Sequence, residues 1–229
     1  KNVTSYIPGE IIKEVNGKSM SLLEFFVHSP FKDSLVEGRA EADKNATSIV
    51  MQARFKYTST ATQPSALYLF GGDADHYIWK EIQEQCTAHD NDDKLNFDIF
   101  MAPHHCSWTY FNNVPYMNGE TDKPVESSKT MIKDHKTNGA VIIASSKQIK
   151  KDKDNPPHHQ SKEEYVKLIG ADKFISLAEE PDSKKPKPVV YEVTSSGFLR
   201  KDKNQQKGST GAAIGSSSTS GRKSAYGCK

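Results

Sequence analysis

Phe70-Gly71-Gly72-Asp73-Ala74-Asp75 and Met101-Ala102-Pro103-His104-His105-Cys106-Ser107 decide the reading of this chain. Each closes an apolar, strand-like run, Ala66 to Phe70 and Phe97 to Met101, on side chains able to bind a metal ion. A strand, a helix and a second strand in succession bring both closing segments to one sheet edge, the edge at which open α/β sheets bind ligands. The two glycines let the backbone approach a neighbour closely and aim the Asp73 carboxylate off the strand end. Pro103 fixes the backbone that presents the histidines. Neighbouring residues of a strand point to opposite faces, so one of His104 and His105 is expected as a ligand or substrate contact and the other as its support. Position alone also lets Asp73 cap a helix beginning at Ala74, with Asp75 a first-turn acid.

Working outward, Asn16-Gly17 between two β-prone runs, Glu10 to Val15 and Ser19 to His28, predicts a hairpin. Thr47 to Tyr57 and Ala66 to Phe70 predict a second antiparallel pair. Ile78, Ile82 and Cys86 recur at helical spacing, so a helix is expected from Asp75 to about Cys86. Further elements are a helix over Ser127 to His135, a strand over Ala140 to Ala144, and a helix capped by Ser161 with Glu164 completing a capping box. Phe174 to Leu177 and Val189 to Val193 finish as strands, with Ser196-Gly197 turning into Phe198 and Leu199. Antiparallel pairs mixed with strand-helix-strand units predict an α/β layered fold.

The chain has 229 residues, 35% of them hydrophobic, enough for one core. From Arg200 onward the bases at 200, 201, 203, 207, 222, 223 and 229 face the single acid Asp202, a net of +6 against +2 for the whole chain. The body is therefore mildly acidic, which argues against broad nucleic-acid binding by its folded part. Two domains in the loose sense are expected: a folded portion over 1–200 and a disordered basic Gly/Ser-rich tail over 201–229, whose composition cannot offset its ordering entropy. Three scattered cysteines form no disulfide framework and point to a reducing, cytoplasmic compartment. No apolar run is long enough to span a bilayer, so no membrane segment is expected.

Asn45-Ala46-Thr47-Ser48-Ile49-Val50, Gly72-Asp73, Pro103-His104-His105 and His158-His159-Gln160-Ser161, in that order, resemble the metallo-β-lactamase superfamily, and within it the hydrolase domains of ComEC-like competence proteins. That family's His-x-His-x-Asp-His motif is absent from these residues, so the likeness is to the C-terminal half of an αββα sandwich, with mixed sheets and flanking helices and its N-terminal half missing or supplied by a partner chain. The resemblance implies zinc, one or two ions, or manganese, held by Asp73, His104 and His105. It implies catalytic roles for Asp73 and His159, with His159, Asn45 and Ser48 toward the substrate, and a nucleic-acid or other phosphoester substrate cleaved by metal-activated water. Cys106 stands where the family has glycine, as an obstruction, a thiolate ligand or a mark of drift. The competing expectation is a degenerate hydrolase half kept as a binding or scaffold module; a weaker one is nucleic-acid binding through the tail. Trp108 and Tyr110 are candidates for base stacking or, more simply, for the core. His28, His76, His89 and His135 show no partner spacing.

Overall fold

The computed structural model describes residues 5–31, 44–113, 123–152 and 156–201. Its centre is a mixed sheet of seven strands in the order β1-β4-β5-β6-β7-β8-β9. The strands are β1 (Ile11–Ile12), β4 (Leu23–Ser29), β5 (Val50–Phe55), β6 (Ala66–Phe70), β7 (Phe97–Met101), β8 (Lys136–Ala144) and β9 (Phe174–Ser176). The half running from β1 to β6 is antiparallel, and β6, β7, β8 and β9 run parallel. The expected hairpin turn is present: β2 (Glu14–Val15) pairs with β3 (Lys18–Ser19) across Asn16 at φ +52 and Gly17 at φ +72, the double positive φ that a two-residue turn needs to match strand twist. The same two runs pair again after an offset in register, Ile11 opposite Phe26 and Ile12 opposite Phe25, so the hairpin runs on into the central sheet.

Helices α1 (His76–Ala88), α2 (Glu126–His135) and α3 (His159–Ile169) belong with one face of the sheet. Ile78, Trp79, Ile82 and Cys86 form the buried stripe of α1 and join Leu69, Phe97, Phe100, Met131, Ile142 and Tyr165 in the main core. Trp79 meets Phe100 and Tyr110 edge-on, with ring centroids 5.3 and 5.8 Å apart, the geometry aromatic quadrupoles favour. Tyr110 and Ser128 exchange two hydrogen bonds, each hydroxyl donating to the other's carbonyl, which anchors α2. Both Trp108 and Tyr110 are thus core residues and offer no stacking platform.

The other face is apolar too. Val27, Met51, Phe70, Met101, Ile143 and Ile175 are in lateral register across six strands, and Phe25, Ala53, Tyr68, Ile99 and Val141 form the next row. The hairpin of β10 (Tyr191–Thr194) and β11 (Gly197–Arg200) covers part of it through Tyr191 and Phe198.

Several boundaries differ from the sequence expectation. Asp75, not Asp73, caps α1: its carboxylate accepts from the backbone N–H of Tyr77 at 3.0 Å and of Ile78 at 3.1 Å. Ser161 does not cap α3, which starts at His159 behind His158; the Ser161 hydroxyl is buried and donates to the Ser107 carbonyl at 3.0 Å. Strand β8 begins at Lys136, directly after α2, and shifts register before Val141. The loop expected over 32–44 and the tail over 201–229 fall outside the described residues except for Lys44 and Lys201. Among the described residues no helix is long and apolar enough to cross a membrane.

Candidate functional site

The parallel strands β6, β7 and β8 end side by side. Gly71 and Gly72 make that convergence possible: a Cβ on Gly71 would lie 2.6 Å from the Met101 carbonyl oxygen and 2.7 Å from Pro103 Cγ, and one on Gly72 would lie 2.6 Å from the Ile49 carbonyl oxygen. Ser48 stands against the same glycine, 3.3 Å from where that Cβ would be. Asn45 lies in the short 3₁₀ turn Lys44–Thr47, and its carbonyl accepts from the Ser48 N–H at 3.0 Å. This loop therefore backs the Asp73 strand end.

The histidines are not on a strand. His104 (φ 46, ψ 50) and His105 (φ 55, ψ 37) lie in the left-handed region, and Cys106 follows at φ +68. Three successive L-residues in this region cost roughly 1–2 kcal/mol each, so the surroundings must hold the turn. The His104 N–H donates to the Gly72 carbonyl at 2.9 Å, the Ser107 N–H to the His104 carbonyl at 3.0 Å, and the His158 N–H to the Cys106 carbonyl at 3.1 Å. The Trp108 N–H donates to His158 Nδ1 at 2.9 Å. With the Ser161 bond to Ser107, the start of α3 clamps the turn from behind.

This backbone sends the two rings apart. His105 Nδ1 lies 2.7 Å from the Ser145 carbonyl; a carbonyl only accepts, so Nδ1 carries a proton and Nε2 is the ring nitrogen left to face another partner. That nitrogen faces Asp73 Oδ1 at 4.0 Å. His104 Nδ1 is 3.5 Å from Thr109 Oγ1. Of the adjacent pair, His105 is the one brought to Asp73. His105 and Asp73 are 57% and 49% exposed, so as a bare ion pair they would contribute at most about 1 kcal/mol.

His158, which the sequence reading passed over in favour of His159, belongs to this assembly. Its Nδ1 accepts a backbone N–H, so Nε2 carries its proton, and burial first, then the nearby His104, hold its pKa below the usual imidazole value. The doublet His158-His159 was the available signal. His159 instead lies 3.6 Å through Nδ1 from Glu163 Oε1, one turn along α3. Cys106 is fully buried and its thiol is pushed up to about 12 by desolvation, with Ser161 as a smaller opposing influence. It packs among the buried residues of the main core. Beside His105 an open depression of about 450 Å³ is lined by Ser145, Ser146, Lys147, Pro156 and Pro157.

No family model, no curated protein and no solved structure matches the chain. Its chemistry must be read from the site. A histidine that donates one ring N–H to a backbone carbonyl while its other nitrogen faces a carboxylate is arranged as metal ligands are. The donor set fits an ion as two ligands of a larger set; among the described residues no three of the His, Cys, Asp and Glu side chains converge on one point.

Proposed function

We propose that the chain carries one half of a metallo-β-lactamase-type metal centre and serves hydrolysis of a phosphodiester or another ester. The observation that carries this reading is the approach of Asp73 Oδ1 and His105 Nε2 to 4.0 Å at the shared end of parallel strands. A carboxylate oxygen and an imidazole nitrogen at that distance are held together by a cation between them or by a proton on that nitrogen. Asp73 and His105 would hold zinc or manganese, with His104 beside them. When bound, such an ion supplies acidification of a water molecule. His105 is kept in its ligating tautomer by Ser145. Lys147 on the adjoining depression gives an anionic ester a cationic contact. His159, at the opening of α3, donates to or accepts from the scissile group, with Asn45 and Ser48 bracing Asp73. The apolar rows on the second sheet face support a sandwich in which another sheet packs on them; that sheet, from a partner segment or chain, would bring the remaining donors.

One observation favours the second reading, a scaffold module descended from a hydrolase: the incomplete convergence of donors. Zinc titration of the chain separates the two. The native chain is expected to bind zinc weakly in titration, and Asp73→Ala/His105→Ala to bind it measurably more weakly still while circular dichroism stays unchanged; equal zinc affinity in both would sink the hydrolase reading.

A further inference from the structure

A second group of donors lies far along α1 from Asp73. A cavity of about 480 Å³ is lined by Glu10, Phe26, His28, Ile82, Cys86 and His89, among others. His28, on β4, is buried, and its Nε2 lies 3.1 Å from the Lys94 carbonyl. The carbonyl can only accept, so Nε2 bears the proton and Nδ1 a lone pair. That lone pair faces Cys86 Sγ at 3.6 Å. His89 caps the end of α1 one turn later, and its Nδ1 lies 2.9 Å from the Gln85 carbonyl, which leaves Nε2 as its open donor by the same logic. An imidazole whose second N–H is held by a backbone carbonyl is the usual state of a metal-ligating histidine. Here the arrangement occurs twice around one cavity that the buried Cys86 also lines.

The fixed pair has the right bite. Sulfur and nitrogen bound tetrahedrally to zinc at about 2.3 and 2.0 Å stand about 3.5 Å apart, close to the 3.6 Å between Cys86 Sγ and His28 Nδ1. We infer that His28 Nδ1, Cys86 Sγ and His89 Nε2 form a site for a zinc-like divalent cation, separate from Asp73 and His105. His28 and Cys86 are its preset half. His89 is exposed and turns inward to complete it, since three donors do not converge as they stand. On binding, the Cys86 S–H bond breaks, its proton passes to solvent, and the thiolate electron pair forms the metal–sulfur bond. Without a cation the same pair is a neutral S–H···N hydrogen bond; Asp92, Asp93 and Lys94 are the charges acting on Cys86, and His135 and Lys94 those acting on His28.

Cobalt(II) titration of the full chain tests this, because thiolate ligation to cobalt gives a near-ultraviolet charge-transfer band. The band is expected to saturate at one equivalent in the native chain and in Asp73→Ala, and to vanish in Cys86→Ser. His89→Gln, a surface change that leaves the core intact, is expected to weaken cobalt binding at least about tenfold. No thiolate band in the native chain, a band that survives Cys86→Ser, or unchanged affinity in a folded His89→Gln would each overturn the site.

Discussion

Gly72→Ala puts the packing of the two strand ends to a quantitative test. Gly72 sits at φ +53, and the added methyl would meet the Ile49 carbonyl oxygen at 2.6 Å. That neighbour is backbone, continuous with the first residue of β5, and cannot swing aside. The left-handed conformation costs a non-glycine residue about 1–2 kcal/mol, and overpacking adds about 1–3 kcal/mol. The expected loss is about 2–5 kcal/mol, a large part of the roughly 5–15 kcal/mol that holds a typical domain. Gly139→Ala is the matched control: Gly139 has φ +84 but nothing within 4 Å of its would-be Cβ, so it carries the strain of about 1–2 kcal/mol alone. Urea unfolding followed by circular dichroism measures both. A gap of about 1–3 kcal/mol between them is expected from the overpacking component; equal losses would refute the close approach at Gly72. Because the Gly72 carbonyl also holds the His104 N–H at 2.9 Å, the imidazole resonances of His104 and His105 should move in Gly72→Ala and stay put in Gly139→Ala.

Three further outcomes follow from the same structure. Cys106→Gly should be at least as stable as Cys106→Ala, reversing the usual order of about 1 kcal/mol in alanine's favour, because glycine alone relieves the φ of +68; chemical denaturation that ranks alanine well above glycine would mean that the turn is not left-handed. The buried Cys106 thiol, pushed up to about 12, should react with Ellman's reagent only on unfolding, so fast labelling in the native state would contradict it. His28, pushed down to about 4 from 6.5 mainly by desolvation, with the Lys94 carbonyl opposing, must stay neutral in the fold. Its contribution to stability is whole above about pH 6.5 and drains away as pH falls to 4, about 3 kcal/mol in all. Against a folded His28→Gln reference, a stability difference that stays flat from pH 7 to 4 would show that His28 is not buried as described.

What the sequence disclosed was local. Asn16-Gly17 announces its turn because few dipeptides accept two positive φ values, and Gly71-Gly72 announces a close approach because no side chain fits there. The stripe of Ile78, Ile82 and Cys86 fixes the helix type. The left-handed turn was illegible, since nothing in the types of His104, His105 or Cys106 favours positive φ; contacts from Gly72, Ser145 and His158 impose it. The roles of Ser161 and His158 were hidden for the same reason. A serine three residues before a glutamate is a good capping box in isolation, and only the fold reveals that its hydroxyl is already committed to Ser107. The choice of Asp75 over Asp73 as cap likewise depends on where the glycines release the chain.

The clamp on the histidine turn also imposes an order on synthesis. Strands β4 to β8 and helices α1 and α2 lie before residue 145, so a chain emerging from the ribosome can assemble most of the sheet and its core early. The bonds from His158 and Ser161 back to residues 106–108 span about fifty positions and wait for the last helix. Until α3 arrives, His104 to Cys106 lack the partners that hold their costly conformation. The nascent protein thus gains its scaffold before the turn at the strand ends, which is set only once translation has passed α3.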